Sequence, residues 1–427
     1  MRIALLPATL ALLASIAVVP PVSAAAPTCQ GQPATLVGTP GHALRGTSGP
    51  DVIVTNGATP VRAGDGDDRV CITGHRASFP DISAGPGDDR VRDTSRAFPD
   101  VDLGAGDDWF RELTTHGADV DAGDAAGLGH DVIIGGPWAD SVVSGVPDQP
   151  NDDVVRLGPG GDGIHLNGTP TGSFDGGGGH DIVLLVRSAP ADWVLDLAQD
   201  TGTVDGAPFA IRHIEDFALA DLPWRTMHVI GSDAGESVYA TRTRTSGPVS
   251  SGELTAQMGG GNDLVSVTAA QSGPFRGSAG SDRIEVEATD GRRQVGPDVH
   301  VDLSRDRYRV DGDDPITASS FESAETRWFG SSTVIGTSGD NRLDILGCQG
   351  RAEAHAGDDF LQFDRSRACG GPARDHQEFR ASGGPGDDIL WGDRGMDRLY
   401  GGPGLDQAWG LEARDTCRAE RMHYCEA

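Results

Sequence analysis

The sequence predicts an all-β chain wound as a parallel β-solenoid of about 18 to 20 residues per coil, and three observations carry that expectation. The first is composition. Of 427 residues 62 are Gly and 51 are Asp (64 acidic residues less 13 Glu), both poor helix formers. The second is self-similarity: FPDISAGPGDDRV, FPDVDLGAGDDWF and GADVDAGD follow one another so that Asp81, Asp100 and Asp119, and likewise Gly85, Gly104 and Gly123, stand 19 residues apart. The third is local pattern. In VRLGPGGDGIHL, Val155 and Leu157 alternate with polar residues before a Gly-x-Gly-x-Asp type turn, and Ile164 and Leu166 do so after it. Two short strands in some 19 residues leave no room for a helical crossover, so each coil must stack directly on the last.

The elements follow in order. Arg2, an apolar run from Ile3 to Val19 and the small residues Val22-Ser23-Ala24 read as an export signal cleaved near Ala25. Pro7 and Pro20-Pro21 argue against a retained anchor, so no membrane span is expected after processing. The six cysteines all follow that point, as suits an oxidising space. Of the 15 pairings six Cys allow, the local set is expected: Cys29 with Cys71, Cys348 with Cys369, Cys417 with Cys425. The organisation read from the repeat is an export signal at 1–24, an N-terminal strap at 25–37, repeat-bearing coils at 38–190, degenerate coils with an insertion at 191–240, repeat-bearing coils at 241–298, degenerate coils duplicating 191–240 at 299–350, repeats with a tandem array (383–409) at 351–415, and a C-terminal disulfide cap at 416–427. The duplication rests on WVLDLAQDTGTV and VHVDLSRDRYRV, whose Asp196 and Asp302 are 106 residues apart. Both stretches are expected to be ordinary coils without the Asp turn, with loops projecting after Ala240 and Cys369.

Charge narrows the function classes. With 34 basic residues, none of them Lys, and a formal net charge of -30, the chain is unsuited to nucleic acid or anionic lipid, and its natural counter-ions are cations. At the C-terminal end GGPGDDILW, GDRGMDRLY and GGPGLDQAW repeat every nine residues, followed by a degraded copy from Gly410. These units resemble the RTX, or hemolysin-type, calcium-binding nonapeptide repeats, and the rest of the mature chain is similar in a looser form. The resemblance implies a right-handed parallel β-roll in which glycine-turn carbonyls and the sixth-position Asp hold Ca²⁺ between successive turns. Position by position it assigns metal binding to Asp51, Asp68, Asp89, Asp108, Asp131, Asp140, Asp162, Asp181, Asp263, Asp282, Asp359, Asp388, Asp397 and Asp406, with Gly384, Gly386, Gly402 and Gly404 as turn glycines. Asp415 holds that place in the degraded unit, and Glu236 and Asn341 replace Asp in two others. Asp388 and Asp406 are expected to bracket one ion, with Asp397 on the opposite edge.

The residues make the same case independently. Spacings of 17, 21, 19 and 23 from Asp51 to Asp131 place these acids on one edge, one rung apart. Like charges about 5 Å apart repel by about 1 kcal/mol in water and a few at an effective dielectric of 20, a cost repeated at every rung. A single Gly-Asp-Asp is an ordinary solvated turn, whereas fourteen in phase call for a hard dication. Turn carbonyls and carboxylates suit Ca²⁺ better than Mg²⁺.

The expected activity is therefore calcium binding coupled to folding in a secreted, extracellular, monomeric protein of structural or adhesive role, whose further partner is an extracellular glycan or protein. The alternative is a Ca²⁺-dependent β-helix enzyme (lyase, hydrolase or epimerase) acting on acidic polysaccharide. A catalytic site is local, whereas these carboxylates recur in every coil, and neither a Gly-x-Ser-x-Gly elbow nor a His-Glu-x-x-His motif occurs. No catalytic residue and no cofactor beyond Ca²⁺ is expected. Trp109, Trp391 and Trp409 are expected to plug or cap a narrow core, a carbohydrate-stacking ladder being the other reading.

Overall fold

A computed structural model describes residues 26–74, 79–123, 129–219, 222–240, 252–288, 296–365, 378–411 and 414–425. The export signal, Cys369 and most of the two projecting loops lie outside the described residues.

Alternation decides the architecture. In Asp100 to Glu112 the buried Val101, Leu103, Phe110 and Glu112 point inward while Asp100, Asp102 and Arg111 face out. The inward residues of all coils form one continuous apolar core. Each strand pairs in parallel with its counterpart one coil on, as Val101 does with Ile82 and Val120. Among the described residues one face of the stack is an unbroken parallel ladder of eighteen strands, from Leu44–Arg45 to Arg421–His423. The chain is all-β in the described residues apart from two single 3-10 turns.

The second face corrects one expectation. The stretches 191–212 and 298–319 are not ordinary coils. Each is an antiparallel excursion in which Thr201–Val204, or Arg307–Val310, runs against its neighbours inside an otherwise parallel face. The cause is local: Asp205-Gly206 and Asp311-Gly312 hold φ of 50° and 84°, and 46° and 84°, the pair of positive values that a tight hairpin turn requires.

The tryptophans correct another. Trp391 is 39% exposed, its ring centroid lies 5.4 Å from that of Trp409, and Trp409 stacks on His423 at 4.9 Å. The inward places in these strands belong to Leu390 and Ala408, and beside Trp109 to Phe110, so strand parity turns the indoles outward.

Both ends of the stack are tied. Cys29 bonds Cys71, fastening the Thr28–Pro33 strap to the strand Arg69–Ile72, and Cys417 bonds Cys425. Cys348 is also disulfide-bonded.

Candidate metal centre

The acids read from the repeat fall into columns at the edges of the stack. Along the first, the backbone N–H of Asp51 donates to Asp68 Oδ1 at 2.7 Å, that of Asp68 to Asp89 at 2.7 Å, that of Asp89 to Asp108 at 2.7 Å and that of Asp108 to Asp131 at 2.8 Å. The chain of bonds continues to Asp153 Oδ1, 3.0 Å from Asp131 N. Asp140 comes nine residues after Asp131, half a coil, and so opens a second column on the other edge. There Asp140, Asp162 and Asp181 are linked in the same way, then Glu236, Asp263 and Asp282, then Asn341, Asp359, Asp388 and Asp406. Asp388 and Asp406 share this edge, while Asp397 lies on the opposite one, its N–H donating to Asp415 at 2.8 Å.

Sequence reasoning missed Asp153, Glu215, Glu322 and Glu420. Asp181 donates to Glu215 Oε2 at 2.8 Å, Asp282 to Glu322 at 2.8 Å and Asp406 to Glu420 at 2.9 Å, so glutamates carry the column where the Asp turn lapses. The signal was present in the matched IEDF and FESAE segments of the duplicated stretches.

One oxygen of each carboxylate is thus consumed by the neighbouring coil. The other separates two kinds of turn. In ten of the fourteen acids (Asp68, Asp89, Asp108, Asp162, Asp181, Asp263, Asp282, Asp359, Asp388 and Asp406) Oδ2 is buried with no hydrogen-bond partner. In Asp51, Asp140 and Asp397 it accepts the N–H of the residue four before: Thr47 at 2.8 Å, Gly136 at 2.9 Å and Asp393 at 2.8 Å. Backbone geometry explains most of the split. In nine of the ten open turns the residue four before has positive φ, for example Gly64 at 121°, Gly104 at 92°, Gly384 at 120°, Ser278 at 89° and His355 at 76°. That conformation turns the amide away from the carboxylate. Gly259, ahead of Asp263, is the exception.

Buried carboxylate oxygens without donors are costly. Burial first, with neighbouring carboxylates adding, pushes Asp89, Asp131 and Asp397 up to about 8, Asp108, Asp162, Asp263 and Asp388 to about 7, and Asp68 and Asp359 to about 6. A cation beside the bare oxygens would reverse that pressure.

The remaining donors a cation needs are in the backbone. A Cβ placed on Gly85 would sit on the carbonyl oxygen of Gly64, one on Gly104 on that of Gly85, and one on Gly402 on that of Gly384. Carbonyls therefore line the gap between successive turns, which only glycine leaves clear. Among the described residues no three His, Cys, Asp or Glu side chains converge on one point, so an ion here would take one bare carboxylate oxygen per turn and draw the rest of its shell from carbonyls. This all-oxygen set fits Ca²⁺ in kind. The outer Asp of each doublet has its own ladder, with Asp88 N donating to Asp67, Asp107 N to Asp88 and Asp387 N to Asp358, at 3.1, 3.1 and 2.8 Å.

Comparison with known proteins adds one family and no relative. Residues 380–417 match the model of the RTX calcium-binding nonapeptide repeat (4 copies). No curated protein matches the chain. The matched segment contains Asp388, Asp397 and Asp406 with their turn glycines, and this segment accordingly carries RTX-type calcium-binding repeats.

Proposed function

We propose that this protein is a right-handed parallel β-solenoid, exported unfolded and folded outside the cell by Ca²⁺ lodged between its turns, and that it serves there as a monomeric structural or adhesive surface without catalytic activity. The observation that carries this reading is the series of ten buried carboxylate oxygens without a donor, running well beyond the segment that matches the RTX repeat. Millimolar Ca²⁺ exceeds a dissociation constant of order 0.1 to 1 mM, the weak end of the range for oxygen-ligated sites. At ten times that constant each site adds about 1.4 kcal/mol, so ten sites outweigh a thin core. The disulfides suit the same compartment.

Circular dichroism of the mature chain tests the reading: β signal is expected to appear on Ca²⁺ addition and vanish with chelator, and an unchanged spectrum overturns calcium-dependent folding. Incubation with acidic polysaccharides is expected to yield no new reducing ends and no unsaturated products. Their appearance would replace the scaffold with an enzyme.

A further inference from the structure

The two antiparallel excursions share a backbone and differ in what they present. Asp196 and Asp302 each open a 3-10 turn, which closes on Asp200 or Asp306 at φ 56°, and each hairpin reverses at an Asp-Gly pair. Where the first copy has Val194, Gln199, Thr201, Gly202 and Thr203, the second has His300, Arg305, Arg307, Tyr308 and Arg309. Those five residues and Pro315 line a cavity of about 260 Å³.

The lining runs against the charge of the chain. Arg305 is 3.1 Å from Asp302, whose Oδ1 also takes the Ser304 hydroxyl at 2.6 Å. Arg307 and Arg309 have no carboxylate partner among the described residues, although acids outnumber arginines 64 to 34 in the sequence. The lining holds three guanidiniums and no carboxylate, with Asp302 set against Arg305, in a protein of net charge -30. His300 is held below its ordinary value by burial and, against the pull of Asp302, by Arg309, Arg307 and Arg305, so it is a neutral hydrogen-bonding wall at pH 7. The strand behind the arginines is anchored: between the exposed Arg307 and Arg309, Tyr308 turns inward, is fully buried, donates to the Gln271 carbonyl at 3.4 Å and stacks on Phe275 at 6.4 Å. In the first copy Gly202 stands there, with the Phe209 ring against it.

We propose that this cavity is a binding site for an oxyanion, carboxylate, sulfate or phosphate, borne on a sugar-sized body. Guanidinium forks match planar and tetrahedral oxyanions in a bidentate manner. The volume exceeds a bare tetrahedral anion and approaches the lower end of small-molecule pockets, about 300 Å³. A scaffold that needed only the hairpin is served by the neutral first copy, so the arginines of the second are additions that structure alone does not require, whereas Tyr308 supplies the core with the ring that Phe209 supplies in the first copy. The site is independent of the calcium columns.

The test is calorimetric titration of the full mature protein at constant Ca²⁺ with sodium glucuronate, sodium sulfate and glucose. Saturable glucuronate binding is expected, weakened by rising NaCl and at least tenfold by the double change Arg307→Ala and Arg309→Ala, with no binding of glucose. These side chains are exposed, so the variant keeps the parent's circular dichroism. Sulfate binding as tightly as glucuronate, with the same loss in the variant, supports the site and assigns recognition to the free anion. Absence of saturable binding by both anions, or equal affinity in the variant, overturns the proposal.

Discussion

Two turns nine residues apart in the tandem array answer the same problem differently. At Gly384 the backbone stands at φ 120°, its N–H goes to the Gly401 carbonyl at 2.8 Å, and Asp388 Oδ2 is left buried without a donor. At Asp393 the amide turns inward, and Asp397 Oδ2 accepts it at 2.8 Å. The first turn is open to a cation and the second is closed by its own backbone, although both read Gly-x-x-Gly-x-Asp. In this pair the two arrangements differ in one dihedral, four residues ahead of the acid. Asn341 marks the limit of closure, its Oδ1 taking the Thr337 N–H at 2.7 Å and its amide donating to the Glu322 carbonyl at 2.7 Å.

The largest consequence concerns the open turns collectively. Seven of their carboxylates are raised in the fold from the ordinary 3.8 to between about 6 and 8, and those of Asp181, Asp282 and Asp406 are raised as well, each chiefly by burial, so the metal-free fold holds protons that the unfolded chain has released. Its stability is fully present below about pH 4 and is lost as pH rises toward 8. Calcium needs the same oxygens deprotonated, so the loaded protein changes the other way and weakens on acidification. Thermal midpoints of desalted protein, with and without Ca²⁺, at pH 5 and pH 8 are expected to cross. Parallel pH dependence would mean that calcium does not replace the protons on these carboxylates.

A single glycine should matter next. Gly384→Ala forces an L side chain to φ 120° and sets its Cβ against the His355 carbonyl. Such backbone strain costs about 1 to 3 kcal/mol, and relieving it tips the amide toward the closed arrangement. A lower thermal midpoint together with a weaker Ca²⁺ response is expected. Gly178→Ala, at a glycine without positive φ and with open space where a Cβ would stand, is the comparison. An unaltered Ca²⁺ midpoint in Gly384→Ala would separate the backbone angle from the metal.

Much of this was legible beforehand. The 17 to 23 residue spacing from Asp51 to Asp131 gave the first column because side-chain direction in stacked coils follows parity and count alone. The nine-residue step gave the opposite edge for Asp397, and pairing each cysteine with its sequence neighbour gave Cys29–Cys71 and Cys417–Cys425. The antiparallel excursions were also written there: Asp205-Gly206 and Asp311-Gly312 are strong hairpin signals, outweighed by the surrounding repeat. What the sequence could not display is the state of a buried oxygen. Ser278 and His355 hold positive φ without being glycine, and Gly136 lacks it while being glycine, so residue type does not report which amide turns inward.

The sharpest use of the comparison is a matched pair of conservative changes. Asp388→Asn keeps an Oδ1 to accept the Asp359 N–H, at 2.9 Å in the parent, but removes the charge from an open turn. Asp397→Asn removes the same charge from a closed turn whose two oxygens already accept the Asp393 and Phe379 amides, at 2.8 and 3.2 Å. In the absence of metal Asp388→Asn should be neutral or mildly stabilising, because it relieves a desolvated carboxylate, whereas Asp397→Asn sets its NH2 against one of two backbone N–H donors and should destabilise by about 1 to 3 kcal/mol. In a Ca²⁺ titration they should part: losing one anionic ligand shifts the Asp388→Asn midpoint upward several-fold, about 1 kcal/mol per site, while Asp397→Asn stays near the parent. Equal shifts would mean that the closed turn opens when calcium arrives and that the amide at Asp393 is a gate. Equal indifference would remove Asp388 from the metal set, leaving the column as a hydrogen-bonded spine whose charge is carried by protons.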